Sequence, residues 1–239
     1  MSELSLSFKA LWQAPLGWLG VSFLCGLCLM GLLQQLPSAY HRPLRNARWI
    51  LIPYLGVVTG GISPRLLGLT GINWSASFGF GLVLIGSVLV VIIIVRSVMA
   101  FSLAAPTTAL PVTPVHLAQP TTRNYLHNSY TTGLPLAFLT SGAEEFHLAF
   151  LRSASWELLL AWPLFTVQAN YWAAWIALVL ALPEALHYQT TVTQRLCKGA
   201  LLVTTTVLFI FTRNLWLSWL LHLLGWTLLA PAAGRDNPA

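Results

Sequence analysis

An all-α, polytopic transmembrane helix bundle is the fold class this sequence predicts, and three observations predict it. Of 239 residues, 56% are hydrophobic and only 8% are charged. Mean hydropathy is +0.73. Several apolar runs approach or exceed the ~20 residues that a helix needs to cross a bilayer. In hydrocarbon a helix satisfies its own backbone, so even the β-branched run "LVLIGSVLVVIIIV" is read as helix. About seven or eight spans follow from the run lengths.

The first span is expected over Pro15–Leu36, following "MSELSLSFKALWQ", which lacks a cleavage-site pattern and reads as leading into an anchor. A basic loop, "HRPLRNAR" (His41–Arg48), comes next. A second, interrupted span covers Trp49–Leu69, with Gly60, Gly61 and Pro64 inside it. The third, Phe78–Phe101, closes an N-terminal three-span region assigned to residues 1–103. A Pro- and Thr-rich stretch without acidic residues then reads as a connector over 104–132, outside the hydrocarbon, with His116 and His127 as solvated loop histidines. A C-terminal membrane core with a short tail occupies 133–239. Its expected spans are Leu134–Leu151, Trp156–Val167, Tyr171–His187, Gly199–Thr212 and Leu215–Leu229.

Net charge is +6, and membrane topology explains it. Nucleic-acid binding would need clustered Lys and Arg interleaved with aromatics on a solvated face. Here the basic cluster sits between two apolar spans, so lipid bilayer and no nucleic acid are the expected partners. That cluster argues for an extracytoplasmic N-terminus, although Arg195 and Lys198 fall on the opposite side under a simple span count. The three cysteines, Cys25, Cys28 and Cys197, read as reduced thiols packed among apolar residues.

The chemistry lies in the polar residues within spans. Six acidic residues exist in the chain, and Glu144, Glu145, Glu157 and Glu184 all fall in or beside C-terminal spans, joined by His147, His187 and His222. Ionisable groups inside a membrane face the bundle interior or a water-filled cavity and are functional candidates by default. On a helix, Glu144 and His147 share a face, and Arg152 leans back toward Glu145. Glu144-x-x-His147 and Glu184-x-x-His187 also have the Glu-x-x-His spacing of di-metal helix bundles, a less favoured reading because a second inward pair of carboxylates is missing. No metal and no cofactor are expected.

"GAEEFHLAFLR", "ALPEALHYQ" and "LVTTTVLFIFTRNLWLSWLLHLLGW", in that order, resemble the three motifs of the CPBP family, the CAAX prenyl proteases and bacteriocin-processing enzymes also called Abi. The resemblance covers roughly Leu134–Pro231 and implies a CPBP-like core in the C-terminal half. By that resemblance Glu144, Glu145, His187 and His222 are the catalytic residues of an intramembrane glutamate protease. A glutamate and a histidine would activate water, and the other histidine would stabilise the oxyanion. The sequence departs from the family at three places. The family arginine belongs at Ala149 but appears at Arg152, Pro183 replaces a phenylalanine, and Trp226 stands where asparagine or aspartate is usual.

Two functional expectations follow. One is a divergent, weakly active or inactive CAAX protease-like peptide hydrolase acting on a membrane peptide. The other is a noncatalytic accessory subunit packed against further membrane protein subunits, including a pigment-binding or photosynthetic complex, suited to 11 tryptophans and mid-span histidines. The expected location is a bacterial inner membrane, crossed several times.

Overall fold

The computed structural model describes residues 14–104, 134–187, 189 and 192–229. The connector (apart from Ala104), His116, His127, the N-terminal stretch 1–13 and the tail 230–239 lie outside the described residues. Within them the chain is all-helical, with no strand. The order is α1 (Pro15–Leu33), α2 (Ser38–Val58), α3 (Trp74–Ala104), α4 (Leu134–Leu160), a 3-10 turn (Thr166–Gln168), α5 (Ala169–His187), α6 (Val192–Thr212) and α7 (Leu215–Leu229).

Four segments are long and apolar enough to cross a membrane: Pro15–Leu33, Trp74–Ile94, Thr166–His187 and Gln194–Thr212. The α7 helix is apolar but shorter. The two remaining helices, α2 and α4, carry Arg48, Glu144, Glu145 and Arg152 inside the protein, and α6 adds Lys198. α4 is the hub, packing against α1, α2, α5 and α7, while α3 lies across α6 and α7. A helix surrounded by protein can hold polar residues that lipid would reject. The tightest seam is α4 with α5. Ala169, Ala173, Ala174, Ala177, Ala181 and Ala185 recur at three- and four-residue spacing and are all buried, letting two helices approach closely. By contrast, α1 and α3 turn Phe23, Leu24, Leu82, Val83, Ile93 and Ile94 outward, the faces that suit acyl chains.

Three sequence expectations are corrected. "HRPLRNAR" is not a loop but the first half of α2, which runs through Pro43 and Pro53. Arg48 is held there by partners on α1 and α5 described below, and the helix ends at Val58 instead of Leu69. Residues Trp156–Val167 are not a span: α4 continues to Leu160, and Pro163 then stops it in turns and a 3-10 segment. Cys25 and Cys28 are exposed on α1 instead of packed. Losing the extra span also changes parity. Asn46 meets Thr140, Arg48 meets Glu184 and Lys198 meets Glu144. The starts of α2, α4 and α6 and the end of α5 therefore share one end of the bundle, and Arg195 falls there with Arg42 and Arg45.

The opposite end is tied by the loop 59–73. Ser63 N–H donates to Glu157 Oε1 on α4 at 2.9 Å, and Leu215 N–H donates to the Gly68 carbonyl at 3.2 Å. Gly68 has φ +76°, and a Cβ there would lie 2.7 Å from the Arg213 carbonyl oxygen. Gly60 has nearly the same φ, +77°, with nothing within 4 Å of that position. Gly60→Ala is therefore expected to cost only backbone strain, about 1–2 kcal/mol. Gly68→Ala is expected to cost clearly more, since backbone must move. Unfolding of both variants in detergent micelles checks this; equal losses would contradict the docking of the loop.

Candidate functional site

The site begins in the middle of α4. Glu144, Glu145 and Arg152 are 6%, 0% and 1% exposed, and His222 on α7 is 0% exposed. A buried carboxylate requires a partner of opposite charge and hydrogen bonds to its remaining lone pairs. Both glutamates have the partner of opposite charge. Arg152 Nη1 donates to Glu145 Oε1 at 2.8 Å from seven residues further along the same helix. Its Nη2 lies 3.4 Å from Thr206 Oγ1 on α6, and its guanidinium sits 4.6 Å from the Phe209 ring centroid. Lys198 Nζ, from α6, donates to Glu144 Oε2 at 2.5 Å.

His222 joins the two pairs. Its Nδ1 is 3.2 Å from Glu145 Oε2 and its Nε2 is 3.3 Å from Glu144 Oε2. Lys198 Nζ is also 3.0 Å from that Nε2. The result is a chain of contacts, Arg152–Glu145–His222–Glu144–Lys198, running across α4, α6 and α7. Two carboxylates meet two cations, with the His222 imidazole between them. Glu144 Oε1 is buried without a hydrogen-bond partner.

Local sequence explains the delivery of His222. Phe209 C=O accepts from Arg213 N–H at 2.8 Å, after which Arg213 takes φ +48° and breaks α6. Asn214 then caps α7, its Oδ1 accepting from Trp216 N–H at 3.0 Å and Leu217 N–H at 3.3 Å. Gly142 leaves room for Trp219, whose Nε1 donates to Ser141 Oγ at 3.2 Å. This fixes the register of α7 against α4. Trp226, one turn beyond His222, is half-buried.

A second buried cluster joins α2, α4 and α5. Arg48 donates to Glu184 Oε1 and, at 3.0 Å, to the Ser22 carbonyl on α1. Trp49 Nε1 donates to the same Glu184 oxygen at 3.0 Å. His147 Nε2 lies 3.8 Å from Glu184 Oε2, and its ring stacks between Trp49 and Phe150 at centroid distances of 6.0 and 6.1 Å. Gly26 makes room for Arg48: a Cβ there would lie 3.1 Å from Nη1.

Of the sequence-assigned residues, Glu144, Glu145 and His222 come together. His187 is the last residue of α5 and is exposed. Its helix instead delivers Glu184 to the Arg48 cluster. The two Glu-x-x-His pairs separate in the same way. Glu144 faces Lys198 and His222, whereas His147 faces Glu184, and among the described residues no group of three or more His, Cys, Asp or Glu is arranged to hold a metal ion. Sequence reasoning overlooked Lys198 and Arg48. Charge balance would have found them: three glutamates inside the helices of so apolar a chain need three cations, and Arg48, Arg152 and Lys198 lie within these helices. Comparison with protein-family models, with curated proteins and with solved structures finds no match.

Proposed function

We propose that the chain is a multi-pass, CPBP-like protein of a bacterial inner membrane in which the glutamate–histidine cluster has become a charge-closed hub. In this reading it holds α4, α6 and α7 in register and presents the bundle to other membrane subunits, without hydrolysing peptides. The observation behind this is the pairing of both carboxylates: Glu144 with Lys198 at 2.5 Å and Glu145 with Arg152 at 2.8 Å. A general base needs a free lone pair on a carboxylate that can reach water or substrate. Here strong cations hold one oxygen of each glutamate and His222 contacts both residues. Asparagine, the family's oxyanion donor, is replaced by Trp226, and losing one such donor costs about 10²–10³ in rate. Arg42, Arg45 and Arg195 share one end of the bundle, which the positive-inside bias assigns to the cytoplasm.

A second reading is supported by one atom. Glu144 Oε1 has no partner, and with His222 beside it this oxygen is where a water proton would go if the protein were a weak intramembrane glutamate protease. The two readings separate in one assay. Purified protein in liposomes is incubated with a membrane-protein extract, and new peptide termini are read by mass spectrometry. No terminus that depends on Glu144 is expected. Termini made by the unmodified protein and lost in Glu144→Gln would favour hydrolysis instead.

A further inference from the structure

Independently of that reading, we infer that the end of the bundle opposite Arg42 and Arg195 holds a binding site for a phosphate-type oxyanion. A cavity of about 240 Å³ is lined by Arg65, Leu66, Thr70, Gly71, Trp156 and Arg213. Three separate parts of the chain build it: the loop 59–73, the end of α4 and the α6–α7 turn. Two guanidiniums line it, and among the described residues neither is within ion-pair distance of a carboxylate. Glu157, beside Trp156 in sequence, has its Oε1 accepting from Ser63 N–H.

Arg213 is positioned by an aromatic contact, and Arg65 lies beside Gly71. Gly71, at φ +70°, lacks the side chain that would stand against Arg65, whose Cγ and Nε lie 3.5 Å from where a Cβ would be. Arg213 takes the left-handed φ of +48°, and its guanidinium sits 4.9 Å from the Trp156 ring centroid. An aromatic face holds a guanidinium in place without neutralising it. A planar fork with its N–H groups unspent suits the oxygens of phosphate.

Size narrows the ligand. Sites for drug-sized ligands run from about 300 Å³ upward, so this cavity suits one small charged group. At the end of a membrane bundle, that group is the phosphate of an anionic lipid or free phosphate. Leu66 and Trp156 give an apolar wall on which a lipid's glycerol and upper chain would rest.

The test uses the full chain in detergent micelles. Tm is followed while short-chain phosphatidylglycerol, phosphatidylcholine of the same length, or inorganic phosphate is titrated in. Phosphatidylglycerol is expected to raise Tm saturably and phosphatidylcholine is not. Arg65→Gln and Arg213→Gln should each raise the half-saturating concentration about 10- to 100-fold, the range for losing a hydrogen-bonded charge. Both arginines are exposed, so ligand-free Tm should stay within a few degrees, separating lost binding from lost fold. A rise with phosphate alone identifies the free anion, and a rise with phosphatidylglycerol alone identifies the lipid; either supports the site. An equal rise with phosphatidylcholine, no rise with any of the three, or unchanged half-saturation in both variants overturns it.

Discussion

Arg152→Met is expected to destabilise the folded protein by about 3–5 kcal/mol, the loss seen when one partner of a buried ion pair is removed. The reason is the position of Glu145. Its side chain is 0% exposed, so without Arg152 its charge keeps only the His222 contact at 3.2 Å. The same substitution removes the guanidinium from Thr206 and the Phe209 ring, loosening α4 from α6. Glu145→Gln in the Arg152→Met background should recover at least half the loss, because no charge is then stranded. Reversible unfolding in mixed micelles measures both. A double variant no more stable than Arg152→Met would show that packing, not charge, dominates there.

Lys198→Met is expected to have the next largest effect, about 3 kcal/mol on the same basis. It strands Glu144, which keeps the contact with His222 Nε2 at 3.3 Å. The loss should sit at the lower end of the range because Glu144 keeps 8% side-chain exposure and water can reach it in part. Glu144→Gln should again rescue. The α6–α7 hairpin should loosen first, since Lys198 and His222 both link it to Glu144 of α4, and faster amide exchange in Leu215–Leu229 would report that. Unchanged exchange in α7 would contradict the placement of Lys198.

Much of the bundle was legible in the sequence. α1, α3, α5 and α7 lie close to their apolar runs because lipid-facing helices must be apolar throughout their exposed surface. α2 was missed in its first half because Arg48 meets partners on α1 and α5 far away in sequence, which hydropathy along the chain does not register. The false span at Trp156–Val167 arose from apolar composition alone; Pro163 and the loop docked at Glu157 decide otherwise. At the site, Glu144, Glu145 and His222 stood out as ionisable residues in apolar surroundings, and Arg152 reaches back to Glu145 as the helical lean of arginine side chains suggested. Lys198 did not stand out. It sits in the first turns of α6, where a lysine ordinarily reads as an interfacial anchor, and only the fold brings it to Glu144.

The central claim is that the glutamate–histidine cluster is a charge-balanced structural hub. Its most direct test is a neutral core, Glu144→Gln, Glu145→Gln, Arg152→Met and Lys198→Met together, with His222 retained between the two amides. Replacing buried ion pairs by neutral groups of similar volume is often neutral or stabilising. The quadruple variant should therefore accumulate in membranes and unfold within about 1–2 kcal/mol of the unmodified protein, while Arg152→Met and Lys198→Met each fail. A quadruple variant as unstable as either single substitution would contradict the account.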